Sequence, residues 1–356
     1  MREILHHIDA RVRRLLFVEY ATSYTALGIF RITYALTFVV LLGIPQFEHL
    51  GALPDFLYNP PPGLARLFSG FPGPGTIQIF DILITVSFFA ILIGWQTRTA
   101  SYILGFSMLI CKSWAYSLGK TDHDLLVWLV PIFLGWHWGR GVSVDALAGK
   151  YDGSRTISWP VTFYALFMAF GFFSAAVPKI LGGWLDPTHS MFEAFVQSKT
   201  YAAGSPDKFL IPLTRMHIPV LWEMFDWLAI AFEAGFLIAF LRAPVFRVFT
   251  VIAMCFHTFV LLTLDISFTS YLSVYPLFWI PLVAGAGRSM PVKRIVVILG
   301  IVALPVLILQ FMGYDFTIRG AWEGHRSFNL CMLSLYTIAG MTIIGTSILR
   351  RKLVSS

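Results

Sequence analysis

Ten nearly uncharged stretches recur along this chain, at residues 27–44, 77–95, 99–118, 124–139, 159–178, 221–241, 246–264, 268–286, 294–313 and 328–348. A helix of about 20 apolar residues crosses the hydrocarbon core of a bilayer. A segment in lipid must satisfy its own backbone hydrogen bonds, which leaves helices and closed barrels. A barrel would show alternating segments of about 10 residues, and none recur here. Only 13% of the residues are charged, against about 25% in a soluble domain. The pattern predicts an all-α fold, a polytopic integral membrane helical bundle of about ten transmembrane helices.

Loop charge orients this bundle. Short Pro- and Gly-containing turns such as Arg140–Gly141 and Gly285–Arg288 join most spans, and two connections are long, 45–76 and 179–220. With a cytoplasmic N-terminus, the inner loops hold Arg2, Arg11, Arg13, Arg14, Arg98, Arg140, Lys150, Arg155, Arg242, Arg247, Arg288, Lys293, Arg294, Arg350, Arg351 and Lys352. The outer loops hold fewer than half as many: Arg66, Lys120, Lys199, Lys208, Arg215, Arg319 and Arg326. The positive-inside rule therefore places both termini in the cytoplasm and both long connections outside a cytoplasmic or equivalent membrane. The net charge of +7 follows from this topology and the anionic inner leaflet. No basic patch interleaved with aromatics points to nucleic acid.

Three regions are expected. Residues 1–26 form an amphipathic cytoplasmic interfacial helix, with Ile4, Leu5, Ile8, Val12, Leu15 and Leu16 near one face. Residues 27–286 form the membrane core, and 287–356 add further transmembrane helices and a short cytoplasmic tail. The N-terminus lacks the uninterrupted apolar stretch and cleavage site of a secretory signal. Cys111, Cys255 and Cys331 lie in spans without CxxC spacing, so neither a disulfide framework nor a thiol metal site is expected. His6 and His7 are adjacent and point apart on a helix; no metal is expected. HExxH, GxGxxG, P-loop and GxSxG patterns are absent. No inverted repeat or matching pair of broken helices is evident, which disfavours a small-solute transporter.

Ionisable residues inside spans are costly and usually face the bundle interior. Arg31, one turn into the first span, is assigned a structural role and could snorkel to the inner interface. Lys112 lies deep in the third span, where an interhelical ion pair and a site role both remain open. Glu233 and His257 fall near the midplane of the sixth and seventh spans. The outer ends are richer: "KTDHD" (120–124), Lys179, "WEMFDW" (222–227) and Asp265 all lie there. Antiparallel traffic is expected to bring His123, Lys179, Glu223 or Asp226, and Asp265 into one outer half. Lys179 could equally satisfy the last carbonyls and dipole of its own helix.

Four separated segments carry a resemblance: "LGIFRITYALTFVVLLGIPQ" (27–46), "KTDHDLLVWL" (120–129), "AAVPKILGGWL" (175–185) and "CFHTFVLLTLDISFTSYLSVYPLF" (255–278). In this order they resemble the HTTM family, the transmembrane domain shared with vitamin K-dependent γ-glutamyl carboxylase, over about residues 27–285. The resemblance implies that Lys179 is the catalytic base, with His123 and His257 as active-site histidines. It also implies a lipophilic reduced naphthoquinone as cofactor, of the vitamin K or menaquinol type, with O2 as oxidant and CO2 as carboxylating reagent. Phe173, Trp184 and Trp114 are expected to wall the quinone. A lysine serves as base when desolvation disfavours its ammonium form.

Two departures stand beside the likeness. Glu233 occupies a position where the carboxylase has a small residue. Further apparent spans and "RRKLVSS" stand where the carboxylase has a large lumenal domain, so a secreted peptide substrate is expected to need presenting by a partner. The expectation is a quinol- and O2-dependent membrane enzyme. The alternative is a non-catalytic membrane partner in the maturation or handling of a secreted peptide.

Overall fold

The computed structural model describes residues 2–61, 63–118, 124–149, 155–198, 201, 218–284, 292–311 and 325–355. Apart from one two-residue strand pair, the regular structure of these residues is helical. The chain divides into two compact units that interleave along the sequence. One holds Ala21–Val161 and Ser270–Glu323; the other holds Met1–Tyr20, Thr162–Thr269 and Gly324–Ser356.

In the unit built on Ala21–Val161, α2 (Tyr24–Leu36) starts at Ser23, whose hydroxyl accepts from Ala26 N at 3.1 Å. It runs on as a π-helical stretch to Leu42 and stops at Gly43, φ 94°. Then follow α3 (Pro74–Ile93), α4 (Thr97–Ala115), α5 (Leu125–Leu134) and the short α6 (Val144–Ala148). Thr22–Ser23 pairs antiparallel with Thr156–Ile157. The chain returns to this unit with α11 (Pro276–Val283) and α12 (Val292–Phe311). The aromatic rings of Phe30, Tyr34, Phe38, Phe88, Trp128 and Trp138 form its centre.

A polar clasp fastens one end of this unit. Arg31 is wholly buried and donates to the carbonyls of Ile91, in the last turn of α3, and of Val142. It therefore does not snorkel to water: carbonyls at the end of α3 and at Val142 take its two terminal nitrogens, while its Nε has no partner among the described residues. Asp145 accepts from Gln96 N at 2.9 Å, from Thr97 N at 2.8 Å and from Thr97 Oγ1 at 2.6 Å, covering donors at the start of α4. Gly94 lies between the two groups at φ 79°, and a side chain there would meet Arg31 and Ser143. Only glycine serves at that turn.

The second unit comprises α1 (Arg2–Arg14), most of α7 (Trp159–Leu181), α8 (Met191–Gln197), α9 (Pro219–Ala239), α10 (Ala243–Leu264) and α13 (His325–Ser355). Its aromatic core includes Phe172, Phe232, Phe236, Phe246 and Phe249 on α7, α9 and α10. The C-terminal end of α9 is fixed by Tyr20, whose hydroxyl donates to Phe240 O at 2.7 Å. At the start of α10, Glu19 accepts from Ala243 N at 3.2 Å.

Five helices among the described residues are long and apolar enough to cross a membrane: Tyr24–Leu42, Pro74–Ile93, Trp159–Leu181, Ala243–Leu264 and Arg326–Leu349. Many of their side chains are exposed and apolar, such as Ile79, Phe170, Ile252 and Ile338, as a lipid-facing surface requires. Two expected segments are shorter. The stretch 124–139 gives Leu125–Leu134, and 268–286 gives an apolar helical stretch, Thr269–Val283. Ten α-helical residues rise about 15 Å, half the hydrocarbon core. Pro131 lies inside the first, and Pro276 and Pro281 divide the second. Two short, proline-bearing apolar helical stretches are thus present among the described residues.

Candidate functional site

The local sequence around Lys179 explains its setting. Pro178 has no N–H to continue the α7 ladder, and two glycines follow. Gly182 N donates to Pro178 O at 2.8 Å, and Trp184 N donates to Lys179 O at 3.2 Å. Gly183 takes φ 86°, the left-handed turn that closes helices. The chain thereby folds back, and the Trp184 ring centroid lies 5.3 Å from Lys179 Nζ, within cation–π range. The five-residue spacing from lysine to tryptophan is what lets this turn form.

Across from Lys179 stands Glu233 of α9. Nζ donates to both carboxylate oxygens. The Glu233 side chain is 6% exposed and that of Lys179 22%, so the carboxylate is the more completely buried partner. Glu233 lies four turns into α9, about 20 Å from its start. The bond is worth little net beside its desolvation cost, yet removing one partner would strand a buried charge at about 3–5 kcal/mol.

An aromatic face continues from the pair. Phe172 lies two turns before Lys179 on α7, and Phe236 lies one turn beyond Glu233 on α9, positions that share a face with the pair. Their rings stack at 4.1 Å and 6°. The buried His257 ring of α10 lies 6.1 Å from Phe172 and stacks on Phe268 at 4.4 Å. Phe173 is half-buried beside Phe172. Lys179, Glu233, Trp184, Phe172, Phe173 and His257 thus all belong to one unit.

The remaining expected residues, His123 apart, are described within their own units. His123 falls outside the described residues, so its place relative to Lys179 is not part of this site. Trp114 belongs to the other unit, packed against Phe68 at 5.0 Å and Phe80 at 5.6 Å. Lys112, in the same unit, forms an ion pair with Asp124 at 2.5 Å. Asp124 also accepts from Tyr116 Oη at 2.9 Å. Asp265 pairs with Arg326 at 3.6 Å. Among the described residues no three His, Cys, Asp or Glu side chains converge to hold a metal ion.

Asp226 has a role that the sequence reading missed. It is fully buried and accepts from Ser190 Oγ at 2.8 Å, Met191 N at 3.0 Å and Phe192 N at 2.9 Å. It therefore anchors the start of α8 from another helix. Phe192 and Val196, one turn apart on α8, then pack on Trp222, Val260 and Leu264. Trp184, at the lysine, lies against the same cluster. The signal was present: Ser190 followed by Glu193 is the capping-box pattern that opens a helix, and Ser190 Oγ accepts from Glu193 N at 3.2 Å.

Chemically, the site offers an amine and a carboxylate in direct contact, on a partly exposed lysine side chain, beside an aromatic wall. That arrangement can exchange protons with a hydroxyl on a flat apolar ligand. No family model matches the chain, and no curated protein or solved structure matches it.

Proposed function

We propose that the chain is an integral membrane enzyme that deprotonates a lipophilic hydroquinone at Lys179 to start its oxygenation by O2. The observation that carries this reading is the Lys179 amine, held between Glu233 and the Trp184 ring at the end of the Phe172–Phe236 aromatic face. The resemblance to the HTTM family supports it by aligning Lys179 with the family's catalytic lysine, and His123 and His257 with its histidines.

A reduced naphthoquinone fits these residues. Trp184 would offer a flat apolar surface, the buried Phe172–Phe236 stack would back the site, Phe173 adds bulk, and Lys179 supplies the polar contact that fixes orientation. When bound, such a group supplies the reducing electrons for O2. The protein's part is to take a hydroxyl proton at Nζ, to exclude water, and to hold the ring. The His257 ring, stacked on Phe268, positions the inner end of the aromatic face. Carboxylation of a peptide glutamate with CO2 is the coupled reaction that the resemblance implies, with the peptide presented by a partner.

The ten-span topology, both termini cytoplasmic and the site towards the outer side, belongs to this reading. Three tryptophans are exposed at helix ends, Trp95 after α3, Trp136 after α5 and Trp159 opening α7, with Arg98 stacked on Trp136 at 3.3 Å. Loop charge assigns all three to the inner end, where tryptophan and arginine suit the membrane interface. With α9 entering from the outer side, the Lys179–Glu233 pair lies about 20 Å inward of the start of α9. That is deeper than the rim position expected of a span-ending lysine.

The competing reading is a non-catalytic partner for a secreted peptide. It draws on the same pair, since a charge satisfied by its counter-ion is also what a register-fixing contact looks like. Epoxide formation separates the two. Purified protein in lipid nanodiscs, given vitamin K hydroquinone under air, should form epoxide. Lys179→Arg keeps the ion pair but cannot lose its proton near neutral pH, so it should retain the fold and lose at least about a hundredfold in rate. No epoxide from the wild-type protein, or undiminished epoxide from Lys179→Arg, rejects the enzyme reading.

A further inference from the structure

We infer that Glu233 stores the proton of Lys179, so that the pair acts as one base and Glu233 is a positioning residue for catalysis. The inference rests on the reading of Lys179 as the base. It starts from a problem that the geometry sets: an ammonium bound to a carboxylate has no lone pair, and Lys179 becomes a base only if its proton has somewhere to go.

Glu233 is that place. Both of its oxygens contact Nζ, and its side chain is sealed from solvent more completely than that of Lys179. Two opposite charges in apolar surroundings each carry a large desolvation cost. Moving one proton from Nζ to Oε removes both charges at once, without moving any heavy atom far. An Nζ–H bond breaks, an Oε–H bond forms, and the amine lone pair is freed. A ligand O–H bond then breaks and an Nζ–H bond re-forms. The pair ends with two protons and one positive charge, the ligand oxygen with one negative charge, and no electron changes hands. The second proton is released from Lys179, the less buried of the two partners, once the deprotonated ligand has reacted.

Among the described residues of this unit, the other titratable groups are engaged or placed elsewhere. The charge acting on Glu233 is that of Lys179. On α9, Asp226 is committed to α8, and Glu223 lies almost three turns before Glu233. On α10, His257 faces the pair through Phe172, Cys255 is half-buried, and Arg247 lies towards the opposite end of the helix. Beyond the turn after Lys179, Asp186 and His189 are exposed, and Glu193 of α8 holds Gln197 at 3.0 Å. Tyr164 is the one other titratable residue of α7, four turns before Lys179. Asp265 is paired with Arg326 of α13.

Two readouts test the proposal. The first needs no turnover: infrared spectra of the full-length protein in nanodiscs, taken across about pH 5–8 with and without the non-oxidisable analogue 1,4-dimethoxynaphthalene, and on adding vitamin K hydroquinone without oxygen. A protonated-carboxyl band is expected that disappears in Glu233→Gln, shifts in frequency in Glu233→Asp, and strengthens with the hydroquinone but not with the dimethoxy analogue. The second is the pH profile of epoxide formation. In Glu233→Gln the acid limb should move to higher pH by at least about one unit, because the amide stores no proton, and Glu233→Asp should restore it. A carboxylate that stays ionised under every condition, or an unchanged acid limb in Glu233→Gln, overturns the inference. If Glu233→Gln does not fold, the Glu233→Asp band shift decides alone. Full activity in Lys179→Arg would instead reject the base reading beneath it, while the infrared band still reports on Glu233.

Discussion

Arg31, Gly94 and Asp145 show how single residues settle the geometry of the Ala21–Val161 unit. The Arg31 guanidinium reaches carbonyls of two separate segments at once, a task for its planar fork of donors that a lysine ammonium cannot perform from one position. Arg31→Met should leave those acceptors without their charged donor and destabilise the fold by about 3 kcal/mol. Arg31→Lys should recover less than half of that loss. Thermal unfolding in detergent, followed by light scattering and tryptophan fluorescence, measures both, and equal stability of the lysine variant and the wild type would contradict the fork argument. The sequence marked Arg31, Lys112, Lys179, Glu233 and His257 as costly inside a membrane, because expense follows from residue type and local hydropathy alone. Their partners were not legible. Ile91 and Val142 lie 60 and 111 residues from Arg31, and Glu233 lies 54 from Lys179, distances at which no local pattern constrains pairing.

Helix α8 is an element whose existence depends on a residue outside it. Seven residues are too few to hold a helix by themselves. Asp226 supplies acceptors for its first donors, and Phe192 and Val196 supply the burial. Asp226→Ala should release the start of α8 at a local cost of about 1–3 kcal/mol, read as faster hydrogen exchange across 191–197. Exchange in the middle of α10 should be unchanged. Equal loss of protection in both would mean that Asp226 holds the unit together rather than α8. Charge-free length placed the helical segments well, since it reports on the medium. It overran at 124–139 and 268–286, because hydropathy does not register where a helix must end. Pro276 and Pro281 were visible as breakers, whereas nothing local in the sequence marks the end of α5 at Leu134, since Gly135 keeps helical φ and ψ and bonds to Pro131 O.

At the scale of the whole molecule, the prediction concerns sidedness. Thr188, exposed in the turn after α7, should react as Thr188→Cys with a membrane-impermeant maleimide applied outside intact cells. Ser355→Cys should react only after permeabilisation. Both are read above the labelling of Cys111, Cys255 and Cys331, and the reverse pattern would invert the orientation drawn from loop charge. Arg31 carries a further consequence, in the order of synthesis. Its acceptor in α3 emerges from the ribosome 60 residues later and the one at Val142 111 residues later, delays of about 3–12 and 6–22 seconds at ordinary elongation rates. Through that interval the first helix holds a cation that its final neighbours cannot yet meet. One turn into its helix, Arg31 is within snorkelling reach of the inner interface, so the first helix can hold the cation there until α3 and the α5–α6 segment arrive, and its burial is completed only then.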